Sequence, residues 1–83
     1  MYNFHASIHK GDTMKISARN RLKGKVVSVE KGAVNALVKI DIGGGNVISA
    51  TISLDSVKEL GLEKGKDAYA IIKATSVIVG VEH

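Results

Sequence analysis

Between residues 33 and 54 the chain alternates between apolar and polar positions. In AVNALVKIDI (33–42), Val34, Ala36, Val38, Ile40 and Ile42 fall on one side of an extended backbone, with Asn35, Lys39 and Asp41 on the other. A period of two over that length predicts a half-buried β-strand. GGGN (43–46) follows and supplies the positive-φ positions of a hairpin loop. Ile48, Ala50, Ile52 and Leu54 then form a second apolar face, opposed by Ser49, Thr51 and Ser53. The two runs predict a hairpin.

An earlier strand is predicted from about Lys23 through VVSVE to Gly32. After the hairpin the alternation breaks at LDSVKELGLEKGK. Asp55 can cap a short helix, Val57 and Leu60 share one side, and Gly61 suits its end. EKGK (63–66) reads as a tight turn. Two more apolar runs, 67–73 and 76–82, meet at KATS (73–76). The order strand, strand, strand, short helix, strand, strand predicts an all-β fold, a small five-stranded OB-like barrel that removes most exposed edges. An SH3-like barrel is the alternative.

Composition adds the expectation of partners. The 83 residues make one domain, without cysteine for disulfides or thiolate metal sites. Hydrophobic residues make up 45% of the chain and aromatics only 4%, so the core must be aliphatic. So much aliphatic surface in so short a chain predicts burial between subunits. No apolar run approaches the ~20 residues of a membrane span. No signal peptide is recognisable either, so the expected location is cytoplasmic. Residues 1–13, MYNFHASIHKGDT, lack a sustained period and are expected to form a flexible N-terminal extension to a domain of residues 14–83. His5 and His9 lack a third ligand, so no bare metal cation is expected.

The net charge is +4, and the stretch from Lys15 to Lys31 holds six basic residues against Glu30 alone. Such a stretch suits nucleic acid, acidic lipid or a small anion. Single-strand binders add aromatic platforms to a basic groove, and outside the extension only Tyr69 is available. The carboxylates Asp41, Asp55, Glu59, Glu63 and Asp67 are scattered, and no histidine lies within the patterned region, so no enzyme is expected. GGG lacks the Lys-Ser/Thr and long helix of a phosphate loop.

A small oxyanion remains. It carries charge and only acceptors, so it needs N–H and O–H donors and one or two cations. SARN (17–20) offers hydroxyl and amide donors with Arg19, and KATS pairs Lys73 with small and hydroxyl residues. Lys73 interrupts an otherwise apolar stretch, which fits either a ligand role or an edge lysine reaching to water.

SARN, SLDSVKELGL and KATSVIVG, in that order from Met14 onward, resemble the molbindins, the Mop family of small molybdate-binding proteins. Their module is called the TOBE domain when it ends a regulator or a transporter ATPase. The resemblance implies an OB-like barrel assembled as a hexamer, a trimer of dimers, with oxyanions between subunits. It places the main site on Ser17, Ala18 and Arg19, on Ser56, and on Lys73 and Ala74, with Thr75 and Ser76 nearby. It also implies a second kind of anion site near the threefold axes. The implied ligand is molybdate or tungstate, without an organic cofactor, and the implied role is intracellular storage or homeostasis. An oxyanion-sensing regulatory module and a nucleic-acid-binding OB protein are the alternatives; nucleic acid and membrane are disfavoured as partners.

Overall fold

The computed structural model describes residues 17–82; the expected extension, with His5 and His9, lies outside the described residues, as does His83. Four strands, β1 (Asn20–Lys31), β2 (Asn35–Gly43), β3 (Asn46–Ser53) and β4 (Asp67–Ile72), form one antiparallel sheet in the order β3-β2-β1-β4. One helix, α1 (Leu54–Leu60), joins β3 to the chain leading into β4, and a short 3-10 turn, Ala74–Ser76, follows β4.

The alternating runs produce the hairpin. Ala36, Val38 and Ile40 of β2 are buried, and Ile48 and Ile52 of β3 pack against them. The strands meet through a two-residue loop, Gly44 and Gly45, both at positive φ. Asp41 Oδ1 accepts the Gly43 N–H at 2.8 Å and fixes the approach to the loop. Val34 is 71% exposed, because β2 begins after it and its carbonyl is used instead to receive the Leu54 N–H at 3.2 Å.

β1 is the strand that shapes the sheet. Its first half, Asn20 to Lys25, pairs with β4, while Lys25 to Lys31 pairs with β2. A register shift between Val26 and Ser28 marks a bulge. The bulge explains why VVSV does not alternate: Val26 lies in the core before it and Val29 packs on that core after it. Beside the bulge, the Gly65 N–H donates to the Val26 carbonyl and the Val26 N–H to the Lys66 carbonyl, both at 2.8 Å, so the 63–66 turn is stitched to β1. The buried cluster is Val26, Ala36, Val38, Ile40, Val57 and Ala70, aliphatic throughout.

The helix starts two residues earlier than the sequence suggests. Ser53, not Asp55, is the N-cap, its Oγ accepting the Ser56 N–H at 3.1 Å; Asp55 sits in the first turn, where a negative charge is favoured. The end is a Schellman arrangement, with Gly61 at φ 64° and Leu62 N–H donating to the Val57 carbonyl. Val57 is buried as expected, whereas Leu60 is 67% exposed.

Two expectations are corrected. β1 begins at Asn20, three residues before the expected Lys23, because Asn20, Arg21 and Leu22 find ladder partners in Ile72, Ile71 and Ala70. The expected fifth strand at 76–82 is absent: after the 3-10 turn, residues 77–82 join no sheet, and the barrel is an open four-stranded sheet. Its apolar pattern is real, but a strand also needs a ladder partner, and the segment pairs with none among the described residues.

Where β1 changes partners it passes against β2 at Gly24. A Cβ there would overlap the Asp41 carbonyl oxygen, a backbone atom that cannot turn aside. Gly24→Ala is therefore expected to destabilise the fold by roughly 1–3 kcal/mol, read as a lower urea midpoint with an unchanged slope.

Candidate oxyanion-binding site

The β1–β4 ladder decides which of the expected site residues meet. Its last pair is Asn20 with Ile72, so Arg19 and Lys73 leave the sheet side by side from adjacent strands. Asn20 Nδ2 donates to the Ile72 carbonyl at 3.0 Å and closes this end of the ladder. Asn20 is thus a clamp, and its amide is at least partly committed. Ala18 is buried, which anchors the entering segment. Ser17 and Arg19 are exposed on either side of it.

On the β4 side the turn gathers the remaining donors. Ser76 N–H donates to the Lys73 carbonyl at 2.8 Å and Val77 N–H to that of Ala74 at 3.3 Å. These turn bonds do not use the Ala74 and Thr75 amides. Lys73, Ala74, Thr75 and Ser76 are all exposed. One end of the sheet therefore combines two cations, hydroxyls from Ser17, Thr75 and Ser76, and amides outside the turn's bonds.

The charge of this end is uncompensated. Neither Arg19 nor Lys73 has an ion-pair partner among the described residues, whereas Lys25 Nζ lies 2.8 Å from Asp67 Oδ1. That hydrogen bond and the Lys25 charge hold the Asp67 carboxyl below its ordinary value. Its small stabilising contribution is present above the unfolded-state pKa and lost as pH falls through the lowered folded value. Lys25 is thus engaged with a carboxylate, while Arg19 and Lys73 have no such partner among the described residues.

Ser56 stands apart. Lys31 pairs with Ala36 and Asn35 with Ser53, so α1 starts at the Lys31 end of β1. Asn20 opens the strand at its other end. Twelve residues of strand rise roughly 36 Å before any bend. The fold therefore brings 17–19 and 73–76 together and leaves Ser56 at the far end of the same strand. There Ser53 Oγ donates to Ser56 Oγ at 3.0 Å, which leaves the Ser56 hydroxyl hydrogen to point elsewhere. Ser53 was not among the expected site residues. The signal for it was a serine three positions before another at a helix start, which is the pattern of an N-cap.

An open OB-like sheet with a cationic, donor-rich end and no group of three or more His, Cys, Asp or Glu poised for a metal among the described residues is that of a small ligand-binding module. Residues 16–79 match the TOBE domain. A probable molybdenum-pterin-binding protein of Haemophilus influenzae is 78% identical over 69 residues, covering 83% of this chain and all of that protein. The structure of MopII from Clostridium pasteurianum superposes with a TM-score of 0.74 at 52% identity, covering 81% of this chain and all of MopII. That of the cytoplasmic molybdate-binding protein ModG, solved with molybdate bound, gives 0.80 at 44% identity, covering 88% of this chain and 52% of ModG. The chain belongs to the TOBE-domain family, in its molbindin or Mop branch.

Because Asn20 holds the end from which Arg19 and Lys73 emerge, Asn20→Ala should cost about 0.5–1.5 kcal/mol of stability. Amide exchange at Ile72 and its neighbours should quicken more than exchange at the β2–β3 hairpin; equal acceleration throughout would argue against a local clamp.

Proposed function

We propose that the protein binds molybdate, or the similarly sized tungstate, as an intact oxyanion and stores it in the cytoplasm. The observation that carries this reading is the meeting of Arg19 and Lys73, both without an ion-pair partner among the described residues, at the closed end of the β1–β4 ladder. Support comes from relatives whose names join them to molybdenum or molybdate. A tetrahedral dianion is balanced by the two cations, and its oxygens accept from Ser17, Thr75, Ser76 and the Ala18 and Ala74 backbone. Larger oxyanions are preferred over sulfate by the spacing of these donors.

Molybdate is favoured over a molybdenum–pterin compound on chemical grounds. A pterin is a flat bicycle that calls for a stacking surface. Tyr69 is the one aromatic among the described residues, and it lies on β4 three positions before Ile72. Catalysis forms no part of the proposal: the site as built binds and releases, and its relatives are named as binding proteins.

Ser56 enters the site from a second copy. Its place at the other end of β1 supports a site completed between subunits, with the hydroxyl aimed outward by Ser53 meeting the anion held by a neighbour's Arg19 and Lys73. This suits a homo-oligomer, and we take the hexamer built as a trimer of dimers as the assembly.

Titration calorimetry with molybdate, and with sulfate as control, tests the reading. Saturable binding of molybdate alone is expected. Arg19→Gln and Lys73→Gln should each weaken it by about 1.5–3 kcal/mol, roughly ten- to 150-fold in Kd, without loss of fold. Ser56→Ala should weaken it by about 0.5–1.5 kcal/mol. Unaltered affinity in both cation variants would remove the site from this end of the sheet.

A further inference from the structure

The two ends of the β1–β4 ladder are closed in opposite ways. At one end Lys25 stands opposite Asp67, and Lys25 Nζ lies 2.8 Å from Asp67 Oδ1. At the other the last pair is Asn20 with Ile72, and the next residues outward on the two strands are Arg19 and Lys73. Both are exposed, and neither has an ion-pair partner among the described residues. Like charges facing each other across antiparallel strands are destabilising. The molecule without its anion therefore works against the very arrangement that a dianion favours.

What holds this end together is uncharged. On the β4 side the Ser76 and Val77 amides bond back to the Lys73 and Ala74 carbonyls, so the turn closes on itself and ties nothing to β1. Across the last pair, the half-buried Asn20 side chain adds a bond of its own, Nδ2 donating to the Ile72 carbonyl at 3.0 Å. Beyond that pair no hydrogen bond joins the two strands among the described residues. A carboxylate in this place would draw both cations in, but it would also neutralise them and repel an anion. A carboxamide ties the strands and leaves both charges in place.

We propose that Asn20 is a positioning residue for the oxyanion, holding the strand ends that carry Arg19 and Lys73 together against their repulsion before any ligand arrives. The anion then meets two cations already gathered, and the cost of bringing them together is not subtracted from its affinity. Asn20 acts through the strands and not on the ligand. It has this role only if Arg19 and Lys73 hold the anion, as proposed above. Once bound, the anion bridges the same two strands and takes over the work of the clamp.

Amide exchange in the full-length, molybdate-free protein tests the clamp without the ligand. At low salt Asn20→Ala should quicken exchange at Ile72 and its neighbours. Adding Lys73→Gln to it should reverse most of that change, because the repulsion is gone. Salt at about 1 M, where the screening length falls to about 3 Å, should do the same. An acceleration that neither treatment reduces would overturn the proposal, since Asn20 would then be a structural bond indifferent to the two charges. Calorimetry gives the second readout. Asn20→Ala should weaken molybdate binding by about two- to tenfold, and by less when Lys73→Gln is already present. Unaltered affinity would overturn the positioning role, and an equal loss in both backgrounds would replace it with direct contact. Exchange as expected in an unsubstituted protein that binds no molybdate would instead defeat the ligand assignment, and with it the role toward that ligand.

Discussion

The molecule depends on one strand serving two partners. β1 gives its first half to β4 and its second half to β2, and the handover occurs within Gly24, Lys25 and Val26. The exchange needs backbone to pass close to backbone, which only a residue without a side chain allows at Gly24. It also needs an extra residue to turn the apolar side of the strand back toward the core, and the bulge after Val26 provides it. Without the bulge Val26 and Val29 could not both reach the same cluster. Without the handover β4 would have no ladder, and Lys73 would not be delivered beside Arg19.

The same strand separates the residues proposed for the site into two groups. Its length keeps the Asn20 end, with the cations, away from the Lys31 end, where Ser53 and Ser56 cap the helix. A small chain cannot fold a tetrahedral cage around an anion when its donors sit at both ends of its longest strand. A site that uses both ends, as proposed above, therefore calls for a second copy of the chain.

Much of this architecture was legible from residue pattern. The hairpin of β2 and β3 followed from period-two alternation around three glycines, because side-chain direction in a strand is set locally. The helix end at Gly61 was likewise local. The cap was misread as Asp55 because Asp and Ser are comparable caps by type, and the geometry at Ser53 chooses between them. The start of β1 was misplaced because Asn20, Arg21 and Leu22 carry no alternation; they are strand only because β4 lies beside them. Asn20 looked like a ligand donor, and its amide donates to the Ile72 carbonyl.

The sequence by itself determined the strands that alternate, the turns between them, the aliphatic core and the residue types suited to an oxyanion, since these depend on neighbours in the chain. The tertiary structure decided which of those residues meet. Pairing partners are set by contacts between residues about fifty positions apart, and such contacts leave no local period. So Arg19 and Lys73 became neighbours, Ser56 was carried to the opposite end, and a segment patterned as a fifth strand was left without a ladder partner among the described residues.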